Sequence, residues 1–225
     1  MCDPSQKHVL LVFAHQDGKS FNGALKDAAI DTLRSLGHSV EVSDLYSQQF
    51  EPRATKNDIR GPLQDPDLFN YSEEGRLAYR HNCQSLDIAN ESDKLKRADL
   101  VIFQFPLYWS SVPAILKGWF DRVLCDSFAF DFESQNVLDQ GFMKYGTLRM
   151  CGFDVLPPQI SYGTKLVEEP TRQQYLKDWK CRLQNIFSEE PLSLPKLSDF
   201  DHKSLMLHEE NGKKRVSSIG HRNNP

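Results

Sequence analysis

Hydrophobic positions along this chain fall into blocks of two periods. Residues 9–14 (VLLVFA) and 100–105 (LVIFQF) are unbroken apolar runs rich in β-branched side chains, the pattern of strands buried on both faces. Elsewhere the period lengthens. Residues 22–36 carry an apolar stripe of Leu25, Ala28, Ala29, Leu33 and Leu36 and stop at Gly37, a natural residue to follow a helix end. A second strand is expected over 38–45 (HSVEVSDL), and residues 46–70, rich in Pro, Asp, Asn and Gln, read as a long excursion. Helices are expected near 71–83 and 87–98, and over 112–125, where serines precede the helix and Pro113 falls in its first turn. Residues 152–161 (GFDVLPPQIS) are expected to form an edge strand, because their prolines forbid a central one. A long helix over about 168–187 aligns Tyr175, Leu176, Trp179, Leu183 and Ile186.

Alternating strands and helices predict an α/β, doubly wound parallel sheet with right-handed crossovers. In such sheets ligands bind at the carboxyl ends of the strands. Those ends are 15–22 and 106–111. Residues 1–190 are expected to form one domain, with 191–225 as a polar C-terminal extension.

Composition narrows the class. The 225 residues hold 27 Lys and Arg against 31 Asp and Glu, a net charge of -4, which argues against a dedicated nucleic-acid binder. No apolar run approaches the roughly 20 residues that span a bilayer, and the start, MCDPSQKH, lacks a signal peptide's apolar stretch. Five scattered cysteines with no C-x-x-C pair read as reduced thiols. A cytosolic protein without a membrane or nucleic-acid partner is expected.

The loop H15-Q-D-G-K-S-F-N22 joins a strand to a helix start, where unpaired N–H groups favour an anion such as a diphosphate. Ser20 and Asn22 add donors and Lys19 a cation. The same loop is also what an ordinary capped helix looks like. Neither G-x-G-x-x-G nor a Walker sequence is present. After the third strand, Leu107, Tyr108 and Trp109 place large apolar groups where turn residues are usual, as a wall for a flat aromatic cofactor or a lid over the core. Phe128, Phe130 and Phe132 alternate downstream, as a pocket lining, an oligomer interface or a strand face.

The segments KHVLLVFAHQDGKSFNGALKDAA, VEVSDLYSQQFEPRATKNDI, ADLVIFQFPLYW with SVPAILKGWFDRVL, the FAF that follows, and CGFDVLPPQISY resemble the NAD(P)H:quinone oxidoreductases (DT-diaphorases). The likeness covers residues 7 to about 190. It implies a flavodoxin-like sheet of strand order 2-1-3-4-5 and a homodimer holding FAD at its interface. It also implies two-electron quinone reduction by ping-pong hydride transfer from NADH or NADPH. By position, the resemblance assigns His15, Ser20, Phe21, Asn22 and Ala24 to the FAD diphosphate region. It assigns Asn70 to a contact made across the dimer, and Leu107, Tyr108, Trp109 and Ser110 to the flavin wall, although the family commonly has Phe at Ser110. Arg172 matches an FAD-contacting arginine, and Ala129, Phe130, Asp131 and Phe132 match the substrate-pocket loop. Tyr145 and Arg149 stand where some relatives have metal-binding histidines, so no metal is expected.

Between FAFDF and MCGFDV the chain departs from that family. The family's fourth strand, its flavin-binding TTGG loop and its Tyr/His relay have no match, and an internal deletion near 140–148 is the simplest description. The fourth strand is therefore expected to be missing or replaced, by 142–150 or by the last strand pairing with the third. No catalytic residue of the relay remains. The resemblance then implies a quinone reductase of impaired activity, or a non-catalytic truncated isoform acting as a dimerisation or interaction partner.

Overall fold

The computed structural model describes residues 6–109, 111–124, 147–148 and 151–193. Three parallel strands, β1 (His8–Phe13), β2 (Ser39–Asp44) and β3 (Leu100–Gln104), form a sheet of order β2-β1-β3. Val9 pairs with Val40 on one side and with Leu100 on the other. This is a flavodoxin-like arrangement, and it matches the first three positions of the expected order.

Helix α1 (Phe21–Ser35) connects β1 to β2. Its end is fixed by Gly37 at φ 86°, whose N–H bonds the Arg34 carbonyl while His38 N–H reaches that of Leu33. This paired closure needs the left-handed conformation that glycine adopts at little cost. Helices α2 (Tyr71–Arg80) and α3 (Leu86–Arg97) lie between β2 and β3, followed by α4 (Ala114–Val123) and α5 (Glu169–Leu183). Contacts pair α1 with α5 and α3 with α4. Because order 2-1-3 reverses direction at β1, right-handed crossovers put α1 and α3 on opposite faces of the sheet.

Residues 9–14 are at most 2% exposed, so the expectation of two-face burial holds for β1. It fails for β3, where only Ile102 is buried and its neighbours are half-buried. Among the described residues β3 pairs with β1 alone, so it lacks the cover a further strand and crossover helix would give. The expected edge strand at 152–161 is irregular chain, with a turn at Cys151–Gly152 and no ladder. Pro157 and Pro158 offer no N–H for a ladder. Of the stand-in segment 142–150, Thr147 and Leu148 sit in a π-type turn, and the rest lies outside the described residues. No side-chain bond caps α4; Pro113 itself is the N-cap, and the helix begins at Ala114, two residues later than expected.

The 46–70 excursion is held down by long-range polar contacts rather than by secondary structure. Arg122 of α4 is 2% exposed and donates from Nε and Nη2 to Asp58 at 3.0 and 2.9 Å. Its Nη1 reaches Asp87 Oδ2 at 2.7 Å and the Glu51 carbonyl at 2.6 Å. Tyr71 donates its hydroxyl to Asp58 at 2.7 Å, and the Arg122 guanidinium stacks over Phe50.

The chain divides into two units, 1–129 with 158–190, and 130–157 with 191–225. All the named strands and helices belong to the first. In the second, Leu192 N–H bonds the Val155 carbonyl at 2.8 Å.

Candidate functional site

The carboxyl ends of β1 and β3 are neighbours because these strands pair, with Phe13 opposite Gln104. Ala14 N–H then bonds the Gln104 carbonyl at 3.0 Å, which carries the pairing one residue into the loops. Two side-chain bonds tie the loops themselves. Gln104 Nε2 donates to Asn22 Oδ1 at 2.7 Å, and Tyr108 donates its hydroxyl to Gln16 Oε1 at 3.0 Å. So the two segments that the sequence singles out lie side by side.

On the β1 side, Ser20 is the N-cap of α1, its Oγ accepting from Gly23 N–H at 3.2 Å. Gly23 is required there: a Cβ at this position would fall 1.9 Å from the Gly18 carbonyl oxygen. The loop therefore folds down against the helix start. Asp17 N–H donates to His15 Nδ1 at 3.0 Å, which leaves the Nε2 proton of the neutral ring to donate elsewhere. In a protonated ring Nδ1 would turn its donor to the Asp17 carbonyl, 3.1 Å away. Phe21 meets Tyr175 of α5 edge to face at 6.3 Å, and Ala24 N–H makes the first helical bond, to the Ser20 carbonyl.

On the β3 side, Tyr108 and Ser111 exchange two backbone hydrogen bonds of 3.0 Å, which makes the chain reverse at Trp109. Trp109 has φ 50°, in the left-handed region that costs a bulky residue about 1–2 kcal/mol, and its side chain is fully exposed. Leu107 and Tyr108 are exposed beside it. Tyr46, after β2, belongs to the same rim: burial and then the nearby Tyr108 push its hydroxyl above the ordinary range. The result is an aromatic, largely apolar surface next to a helix N-terminus whose first N–H groups have no partner among the described residues, a combination suited to a flat ring joined to an anionic tail.

The other expected residues are placed as follows. Arg172 serves its own helix start, bonding Glu169 at 2.8 Å and the Val167 carbonyl at 2.6 Å. It is one turn from Tyr175, hence on the α5 face beside α1. Asn70 is the exposed N-cap of α2, accepting from Glu73 N–H at 3.4 Å. Ser110, Ala129, Phe130, Asp131 and Phe132 lie outside the described residues. The sequence reading missed Gln16, Gly23, Tyr46 and Gln104. A lone glutamine inside the apolar run LVIFQF was the available signal for Gln104. A recess of about 530 Å³ between α3 and residues 48–51 is a poor rival site. Its charges are already engaged in the pairs Glu41–Arg97, Glu91–Lys94 and Asp87–Arg122.

A three-stranded parallel sheet of this order, with paired loops at its carboxyl end, defines a flavodoxin-like α/β protein. A family model described as "Flavodoxin-like fold" matches residues 7–146. The ribosyldihydronicotinamide dehydrogenase [quinone] of Rattus norvegicus is 46% identical over 220 residues, covering 83% of this chain and 94% of that protein. The NAD(P)H dehydrogenase [quinone] 1 of Cavia porcellus is 38% identical, covering 96% of this chain and 93% of that protein. A Klebsiella pneumoniae crystal structure assigned as a quinone reductase superposes with a TM-score of 0.82 at 29% identity, covering 91% of this chain and 95% of the other. The chain belongs to the NAD(P)H:quinone oxidoreductase family. The rat alignment runs over 220 positions yet takes in only 83% of these 225 residues, so some of the relative's positions have no counterpart here.

Proposed function

We propose that this chain is an FAD-dependent NAD(P)H:quinone oxidoreductase that works by ping-pong hydride transfer, as a cytosolic homodimer, with flavin retention and turnover weakened by its missing segment. The observation that carries the reading is the juxtaposition of the two loops through Gln104–Asn22 and Tyr108–Gln16. The residues present fit one part of FAD. Asn22 Nδ2 has no protein partner among the described residues, and with the start of α1 it offers donors to a diphosphate. Leu107, Tyr108 and Trp109 offer the apolar wall, to which the resemblance adds Ser110. The TTGG run of the family has no counterpart in the sequence.

FAD, when bound, would supply two-electron chemistry, accepting hydride from a reduced nicotinamide and passing it to a quinone. The chain's own part is to bind, orient and screen. His15 with Nδ1 engaged presents its Nε2 donor, Ser20 holds the helix start, and Phe21 and Tyr175 close one side of it. Arg172 keeps the chain before α5 in place beside them. Asn70 is assigned to the site of the opposite subunit, and 129–132 to the quinone side.

The purified chain is expected to show a flavin spectrum only with added FAD, and slow oxidation of NADH or dihydronicotinamide riboside with menadione. A stoichiometric yellow protein turning over at family rates would overturn the weakened form. The missing TTGG run also favours a second reading, a non-catalytic dimerisation partner. Gel filtration showing a flavin-free dimer that stays colourless and inactive with excess FAD would establish it.

A further inference from the structure

We propose that Gln104 is a positioning residue for the anionic end of the flavin site, acting through the Asn22 carboxamide; the inference rests on the FAD reading above. Gln104 is the last residue of β3, and its backbone is fixed by pairing with Phe13 and by the bond from Ala14 N–H. Its side chain is half-buried and donates to Asn22 Oδ1 at 2.7 Å. Asn22 is the second residue of α1, so its backbone N–H points out of the helix start with no helical carbonyl to receive it. With Oδ1 turned toward Gln104, the Asn22 carboxamide presents Nδ2 on its other side. Both of its remaining polar groups are then donors at the positive end of a 15-residue helix.

The pair is self-complementary, since rotating both carboxamides together would give the reverse bond, from Asn22 Nδ2 to Gln104 Oε1. That arrangement would aim Asn22 Oδ1 at the anion. A diphosphate therefore selects the arrangement seen, and Gln104 can supply it because an amide can donate. A carboxylate in place of this amide cannot donate while ionised. It would hold the Asn22 NH2 group to itself and turn the carbonyl outward.

The test uses the full chain, FAD titrated by quenching of its own fluorescence, and riboflavin, which has no diphosphate, as control. At pH 7.5, Gln104→Glu is expected to bind FAD about tenfold more weakly, the loss of one hydrogen bond to a charged group. Riboflavin affinity should not change. As pH is lowered through roughly 5, the introduced carboxylate takes up a proton and regains a donor, and FAD affinity should return toward that of the parent chain at the same pH. Gln104→Met leaves the Asn22 amide free to rotate and should lose less than Gln104→Glu. If the parent chain binds FAD while Gln104→Glu binds it equally well, or loses FAD and riboflavin alike with no recovery at low pH, the positioning role is wrong and the FAD reading stands. If the parent chain binds neither flavin, the FAD reading fails and takes this role with it.

Discussion

Single residues carry the sharpest constraints in this molecule. At Gly23 the Gly18 carbonyl oxygen occupies the place of a side chain, so Gly23→Ala must lift the 15–20 loop off the helix start. It is expected to cost about 1–3 kcal/mol, as overpacking does, and to weaken FAD binding; thermal melts and flavin titration would show both. Trp109 carries backbone strain without burying its ring, a situation that clusters at ligand sites. Trp109→Gly is expected to leave the melting temperature unchanged or raised while flavin affinity falls. Cysteine reactivity should divide by environment: burial pushes the Cys151 thiol up to about 11, whereas Cys181 is exposed. Peptide-resolved alkylation at pH 8 should modify Cys181 well before Cys151. The position of Ser20 and Asn22 was legible because the loop stands at a strand's carboxyl end before a helix, whereas His15 and Phe21 drew notice only through the family resemblance. Gln16 and Gln104 were not, because their importance comes from partners 92 and 82 residues away.

At the scale of elements, periodicity located β1, β2, α1 to α5 and the centre of β3 within a few residues, since each carries its own burial pattern. It misjudged what depends on neighbours. The 152–161 run has prolines that an edge strand tolerates, but a strand needs a ladder, and no pattern inside ten residues reports whether a partner exists. The order in the 46–70 excursion was equally hidden, because it hangs on Arg122, 64 positions beyond Asp58. Arg122→Met should leave the buried Asp58 carboxylate without its cation and cost about 3–5 kcal/mol, read as lower urea resistance and faster proteolysis within 46–70. The same cluster predicts an acid limb. Burial works to raise the Asp87 carboxyl, but hydrogen bonds from Arg122 and Ser85 outweigh it and hold the carboxyl below its ordinary 3.8. A carboxyl lowered on folding stabilises above its ordinary value and loses that contribution as pH falls through the lower folded value. Asp87→Asn should therefore be less stable than the parent chain at pH 7 and nearly equal to it at pH 2 to 3, by urea denaturation.

For the whole molecule, the family and its first three strands were evident from sequence because the FQFPLYW and GWFDRVL segments are intact. How the sheet ends beyond β3 was not, since that turns on neighbours rather than on any residue of the strand itself. β3 shows the difference: a sequence written for full burial is only half covered among the described residues.

The conformation of Trp109 has an optical consequence. Trp119 and Trp179 are buried, their indole N–H groups bonded to Glu91 and to the Leu25 carbonyl, so of the three tryptophans only Trp109 meets solvent. Iodide should therefore extinguish one red-shifted component of the intrinsic emission and spare a blue one. Whatever comes to rest on that turn, ring or subunit, would announce itself by shielding the red component, with no dye or label attached to the protein.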